Sequence, residues 1–249
     1  MAQHRSKTSP PPDTLAQLES LGDQLVRWVS ANPLPVLGTA LAILLVAAVA
    51  GGVSAWRTSR DEKASAELTA LQHAYVTAMG GEATALEAPE PANPETARQV
   101  RTEYVERFVS FARAHAGTPA QALAALEASR IYEALDAPDQ AREVLQEAAN
   151  ELPDDSAVRA VVLRRLAVLA EAAGDYEAAA MANVAAANTP GYPQRLDALA
   201  DAARCWAEAA KPDEALALYA RLKSEASPDQ YRVPPHIEAR LAELEARSN

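Results

Sequence analysis

Four histidines, one cysteine and two adjacent aspartates are the side chains of this sequence whose types could support chemistry. His4, His73, His115 and His236 lie far apart, and none stands three or four residues from a second ligand type in a metal-binding pattern. Asp154 and Asp155 run directly into Ser156. That placement suits a loop feeding a helix N-cap better than a carboxylate pair for acid–base work. Cys205 sits among Ala202, Ala203 and Trp206, the setting of a small buried hydrophobe rather than of an activated nucleophile. No glycine-rich loop is spaced to cradle a phosphate. The expectation is a protein with no enzymatic activity, cofactor, metal site or small-molecule substrate.

Composition narrows the class further. The 249 residues are 49% hydrophobic but only 5% aromatic, with nine glycines and much alanine. This balance suits packed helices and is poor for sheets, which favour β-branched and aromatic side chains. The net charge is -11. Before Trp56 the basic residues Arg5, Lys7 and Arg27 balance Asp13, Glu19 and Asp23, so the whole excess belongs to residues 57–249. A domain this acidic has no basic stripe with which to release counterions from phosphates, and nucleic acid is excluded as a partner. One cysteine allows no intramolecular disulfide.

The elements are legible in order. Residues 1–33 form a leader whose proline-rich start, Pro10 to Pro12, has no apolar period. Its later part, Thr14 to Val29, carries Leu15, Leu18, Leu21, Leu25, Val26 and Val29 at helical spacing, either as an amphipathic helix on a membrane surface or as an ordinary local helix. Residues 34–56 follow as a membrane anchor: Val36 to Trp56 holds twenty-one residues without a charge, about 31 Å as a helix, the thickness of a bilayer core. Pro33 and Pro35 open it, and Trp56 with Arg57 and Arg60 closes it as interface residues do. A buried core helix and a secretory signal cleaved after Ala50 are the rival readings of this stretch. Residues 57–117 read as a stalk helix from Arg57 to Met79, a proline-rich loop and a second helix from Glu95 to Ala114 with Val100, Tyr104, Phe108 and Phe111 on one face.

From residue 118 to 249 the chain repeats. Ala137-Pro138-Asp139-Gln140-Ala141, Gly174-Asp175-Tyr176-Glu177-Ala178 and Lys211-Pro212-Asp213-Glu214-Ala215 place their last alanines 37 residues apart. Tyr132, Leu169 and Trp206 stand nine residues before those alanines, and Pro153, Pro190 and Pro228 follow them. A fixed period in this range signals a solenoid of helical hairpins, helix–turn–helix with a proline stop. The expected helices are Pro119 to Leu135, Pro138 to Leu152, Asp155 to Ala173, Asp175 to Asn188, Gln194 to Ala210 and Pro212 to Ala226, with His236 to Arg247 as a cap.

These residues resemble the tetratricopeptide (TPR) repeat, in which a large residue and then an alanine recur on paired helices closed by a proline. The departures are a period of 37 rather than 34 and the absence of the early tryptophan and tight glycine, where this chain has Ala125, Val162 and Leu199 and then Ser129, Leu166 and Ala203. The expected fold class is thus all-α, a single N-terminal transmembrane helix followed by a TPR-like helical-hairpin solenoid. Such stacks bind a peptide or a partner helix on the face formed by their first helices. Aligned at 37 residues, that partner-binding lining comprises Leu126, Arg130 and Glu133, then Leu163, Ala167 and Ala170, then Ala200, Arg204 and Ala207. Arg130 and Arg204 would hold carboxylates or carbonyls of a bound chain, or pair with nearby glutamates on a solvated surface.

The layout of leader, single anchor, stalk and about three degenerate repeats is similar to the bacterial family of ancillary Sec translocon subunits. That resemblance implies a single-pass inner-membrane protein with its repeats in the periplasm, translocon subunits and periplasmic chaperones as partners, and no catalysis. The basic residues next to the anchor favour the reverse orientation, since Arg27 on one side faces Arg57, Arg60 and Lys63 on the other. The alternative is therefore a membrane scaffold whose repeats gather soluble partners in the cytoplasm.

Overall fold

The structure is a computed structural model and describes residues 28, 31, 33–82, 85, 87–226 and 231–248, without the side chains of 33–44, 50, 247 and 248. Apart from Trp28, the expected leader helix Thr14 to Val29 lies outside these residues, as does Pro228. Among the described residues there are nine helices and no strand: α1 (Pro33–Ala78), α2 (Pro94–Ala114), α3 (Pro119–Ala134), α4 (Pro138–Glu151), α5 (Ala157–Ala172), α6 (Tyr176–Ala187), α7 (Arg195–Glu208), α8 (Pro212–Glu225) and α9 (Pro235–Ser248). The chain divides into two units, residues 1–59 and 60–249.

Within the first unit the described part of α1 displays Leu45, Val46, Val49, Val53 and Trp56, all between 44% and 71% exposed. Among the described residues no helix is long and apolar enough to cross a membrane. Of the uncharged stretch Val36 to Trp56, the side chains of residues 36–44 and 50 fall outside that statement.

The second unit is a stack of helical hairpins. The end of α1 pairs with α2 through the face expected for the stalk: Ala64, Leu68 and Val76 are buried, and Tyr75 meets Tyr104 and Phe108 with ring centroids 5.4 and 5.9 Å apart. Then α3 pairs with α4, α5 with α6, and α7 with α8, and α9 closes the stack with Ile237 and Leu241 fully buried against it. Between these anchors the interior is largely alanine. Ala122, Ala124, Ala125 and Ala128 of α3 are buried completely, as are Ala160 of α5, Ala179 and Ala180 of α6, Ala198, Ala202 and Ala203 of α7 and Ala215 of α8. A methyl group leaves the backbones free to approach closely, which is how short helices make a continuous core with so few large side chains.

Local chemistry sets where each helix begins. The Asn93 side chain accepts from the Glu95 N–H at 3.0 Å, Thr118 from the Gln121 N–H at 3.2 Å and Asp175 from the Ala178 N–H at 3.1 Å. Helices α4 and α8 instead start on Pro138 and Pro212, whose missing N–H falls where none is needed. At the start of α3, Gln121 also accepts from the Gly117 N–H and donates to Glu151, so this buried amide links the turn to the end of α4.

Each first helix ends in the same way. Asp136, Gly174 and Ala210 have φ of 58°, 77° and 57°. The next N–H donates back to a carbonyl five residues earlier, Ala137 to Tyr132, Asp175 to Ala170 and Lys211 to Trp206, at 2.9–3.0 Å. This is the Schellman end, which needs one left-handed residue. It corrects the alignment read from sequence. Equivalent positions run Asp136, Gly174, Ala210 and Tyr132, Ala170, Trp206, so the spacing is 38 and then 36, not 37 twice. Burial agrees: Ala179 rather than Ala178 is the fully buried counterpart of Ala141 and Ala215.

Two of the three turns hold their left-handed residue at a cost, because a Cβ there crowds the next carbonyl. Replacing Ala210 with glycine should raise stability by about 0.5–1 kcal/mol, and replacing Gly174 with alanine should lower it by about 1 kcal/mol. Chemical denaturation of the full chain in detergent measures both. Opposite signs for these two substitutions are the expected outcome, and equal signs would contradict the turn geometry.

Candidate functional site

Three side chains of α3 face outward on the side formed by the first helices: Leu123, Leu126 and Arg130. They line a groove of about 380 Å³ together with Glu127, with Gln72 of α1 and with Arg165 of α5. Gln72, Glu127 and Arg130 also line a second cavity of about 340 Å³, bounded by Tyr75 and Val76 of α1, Met79 in the turn after it, Arg101 and Phe108 of α2 and Ile131 of α3. The two therefore adjoin as one cleft in which Leu123 and Leu126 on one side and Tyr75, Val76, Phe108 and Ile131 on the other stand beside charged side chains. On α5 the same side presents Val161 and Val168, 43% and 50% exposed and four residues before and three after Arg165.

A ladder of ion pairs fixes the register of these helices. Glu133 of α3 accepts from Arg165 of α5 at 2.6 and 2.7 Å. Glu171 of α5 accepts from Arg204 of α7 at 2.8 and 2.7 Å. Glu208 of α7 accepts from Arg240 of α9 at 3.3 Å. Partners are 32, 33 and 32 residues apart, one rung at each junction between successive first helices. The middle rung is the most enclosed and opens into a network: Arg204 also faces Asp201 at 3.5 Å, Asp201 pairs with Arg164 at 2.7 Å, and Arg164 donates to the buried Asn183 at 2.6 Å. The hydrogen bond from Arg204 holds the Glu171 carboxyl below its ordinary range and raises the guanidinium's own affinity for its proton. The Cys205 thiol lies 3.8 Å from Glu171, fully buried, and burial pushes it up to about 11. A thiol so hard to ionise is no nucleophile at neutral pH.

The nine residues named from sequence are spread over three environments. Leu126 and Arg130 line the groove, and Glu133 forms the rung with groove-lining Arg165. Arg204 is held by Glu171, while Ala167, Ala200 and Ala207 are buried in the stack. Leu163 and Ala170 are also nearly buried, and they floor a separate groove of about 570 Å³ between α4 and α6 with Leu166, Ala182 and Met181. The one-residue displacement of the middle repeat accounts for this. Arg164, Val168 and Glu171 occupy the positions equivalent to Leu126, Arg130 and Glu133, and Leu163, Ala167 and Ala170 turn inward. Sequence reasoning passed over Leu123, Glu127, Arg165 and Gln72. The recurrence of Glu and Arg at separations of 32 and 33 is the signal that would have found the rungs.

Among the described residues no three or more His, Cys, Asp or Glu side chains are grouped to hold a metal ion. His115 meets Glu67 at 3.0 Å and stacks on Phe111 at the end of α2, where it ties α1 to α2.

The geometry defines an all-α helical-hairpin repeat protein with a groove on its first-helix side. No protein-family model matches the chain, and no curated protein matches it. Among solved structures it is similar to the TPR-like repeats of a Podosopora anserina chain described as a kinesin light chain, and to a single-residue variant of that chain. Each is 16% identical with a TM-score of 0.45, over 62% of this chain and 83% or 82% of the other.

A carboxyl whose pKa is lower folded than unfolded stabilises the fold above its unfolded value and stops doing so as pH falls through the folded value. Glu171 should therefore add stability at neutral pH that is lost below about pH 4.5, its ordinary value. In Glu171→Gln this part of the acid-side slope should be missing, with a loss at neutral pH of about 1 kcal/mol after screening of a rung one-third exposed. Denaturation midpoints at pH 7 and pH 3.5 measure it. Cys205 in the native chain should resist iodoacetamide at pH 7.5 and react fully once unfolded.

Proposed function

We propose that this chain is a membrane-anchored interaction subunit whose helical-hairpin stack holds an extended segment of another protein in the groove of Leu123, Leu126, Glu127, Arg130 and Arg165. The observation that carries this reading is the groove itself, which joins the exposed Leu123 and the half-buried Leu126 to two arginines on the first-helix side of the stack, whereas the groove around Met181 lies between α4 and α6. Stacked hairpins offer such a side repeatedly, and peptides lie along it. The anchor rests on twenty-one uncharged residues within α1 and on the exposed row Leu45, Val46, Val49, Val53 and Trp56, a surface that water does not favour. In its finer form the proposal places the repeats on the periplasmic side of a bacterial inner membrane, assisting protein export beside the Sec translocon with periplasmic chaperones. That form rests on the similarity of layout to the ancillary translocon subunits.

A second reading is supported by one specific observation. Arg57, Arg60 and Lys63 outnumber Arg27 beside the anchor, which favours repeats in the cytoplasm and a scaffold that recruits soluble partners.

One chain variant separates them. Cys205→Ser with a single cysteine appended after Asn249 should be labelled by a membrane-impermeant thiol reagent in cells whose outer membrane is opened and whose inner membrane is sealed. Labelling only after lysis would give the scaffold reading its place and remove the export reading. The groove is tested independently with a photo-crosslinking residue at Leu123, which should capture a polypeptide in intact membranes where the same residue at exposed Glu214 captures none. Equal capture at the two positions would remove the groove from the binding surface.

A further inference from the structure

The groove has a chemical preference that its lining residues determine. Its cations are Arg130 and Arg165, and each is only partly engaged by its own chain. Arg130 is 61% exposed and makes one contact, from Nη1 to Glu127 at 3.4 Å, a pair three residues apart on one helix turn. Arg165 gives both of its hydrogen bonds through Nη2, to the two oxygens of Glu133. A guanidinium has five N–H donors in a planar fork that matches a carboxylate. The Nε and Nη1 of Arg165 and most of the Arg130 fork therefore remain for a ligand at the rim of one cavity. Arg204, the counterpart of Arg130 two repeats on, has no such reserve, because Glu171 engages both its Nη atoms and Asp201 stands beside it. Arg101, at the far end of the cleft, is likewise tied to Glu90. Leu123 and Leu126 line the same groove as the two available arginines, and through Gln72, Glu127 and Arg130 the cleft continues into the chamber of Val76, Met79, Phe108 and Ile131.

We propose that the groove selects an extended protein segment in which an acidic side chain stands between aliphatic ones, the carboxylate bridging Arg130 and Arg165 and the aliphatic neighbours entering on Leu123, Leu126 and the Val76 to Ile131 chamber. This deepens the reading above and rests on it. Charge complementarity commits the occupant: the charged groups with open donors are both arginines, with the Gln72 amide beside them, while Glu127 and Glu133 already act as the chain's own carboxylates at these positions. An internal acidic residue is favoured over a chain end because the two cavities share Gln72, Glu127 and Arg130, so a bound chain can continue on both sides of the arginines. The ligand carboxylate competes with Glu127 for Arg130. Removing that competitor should therefore tighten binding, an effect that a purely structural role for Glu127 would not produce.

The test uses the full chain in detergent and a fluorescein-labelled, end-blocked nonapeptide of alternating leucine and glutamate, with glutamine and lysine counterparts as probes. At low salt the glutamate peptide should bind about tenfold tighter than the glutamine peptide, and the lysine peptide more weakly than either. Arg130→Gln, at an exposed position, should bring the glutamate peptide down to the level of the glutamine one. Glu127→Gln should tighten the glutamate peptide about threefold, while Glu214→Gln, which removes a charge on α8, should leave it unchanged. Equal binding of the glutamate and glutamine peptides would overturn the proposal, as would an unchanged affinity in Arg130→Gln, an equal gain from Glu214→Gln, or no binding of any probe. Capture at Leu123 in membranes would in those cases still uphold the groove as a protein-binding surface, so the two readings fail separately.

Discussion

Methyl against methyl is the contact on which this stack depends. Burying a CH2 or CH3 group contributes roughly 0.8 kcal/mol, and fully buried alanines line nearly every crossing from α3 to α8, so the drive to stack comes from many small equal terms. Equal terms select no register: a helix of alanines shifted by a residue or a turn buries nearly the same area. The information about which residue opposes which must come from elsewhere. It resides in the Schellman ends, which fix each hairpin, and in the rungs Glu133–Arg165, Glu171–Arg204 and Glu208–Arg240, which fix each junction. A partly exposed ion pair contributes at most about 1 kcal/mol, little beside the summed methyl burial but enough to choose among arrangements that the methyl groups leave nearly level.

That division of labour decides where a ligand can be held. An arginine used as a rung has its fork filled, and Arg204 is the extreme case, with Glu171, Asp201 and the buried Cys205 around it. At the start of the stack the pattern is incomplete. The first helix facing Arg130 offers Gln72, an amide, in the shared wall of the two cavities, and Arg130 falls back on Glu127 of its own helix turn. The same incompleteness opens the cleft, since α1 and α2 meet through Tyr75, Tyr104 and Phe108, rings bulkier than the alanines that close the later junctions.

The elements were largely legible in the sequence, and the reason lies in their punctuation. Asn93, Thr118, Asp175, Pro138 and Pro212 start helices by chemistry that depends on neighbours within three residues, and the stripe Tyr104, Phe108, Phe111 has a period that only a helix satisfies. Of the residues that line the candidate groove, those named from sequence are Leu126 and Arg130, both in the first repeat. In the middle repeat Ala178, Ala179 and Ala180 stand in a row, so an alignment anchored on alanine is degenerate, and the one-residue choice that kept a uniform period matched Leu163, Ala167 and Ala170 to Leu126, Arg130 and Glu133 in place of Arg164, Val168 and Glu171. The residue that settles the register is Gly174, whose left-handed backbone matches Asp136 and Ala210. Alanine does not announce such a conformation, and aspartate announces it far less strongly than glycine.

The charge of the chain bears on the groove in the opposite sense from its effect on nucleic acid. A net charge of -11 spread over residues 57–249 repels an acidic ligand at long range, within about a Debye length of 8–10 Å at physiological salt. Close contact with two guanidiniums over an aliphatic floor, where water is partly displaced, is screened far less. Specificity and encounter are thereby set by different parts of the molecule: the acidic surface holds back weakly fitting anions, and the local pair Arg130 and Arg165 retains only a segment whose carboxylate and aliphatic neighbours reach the cleft together.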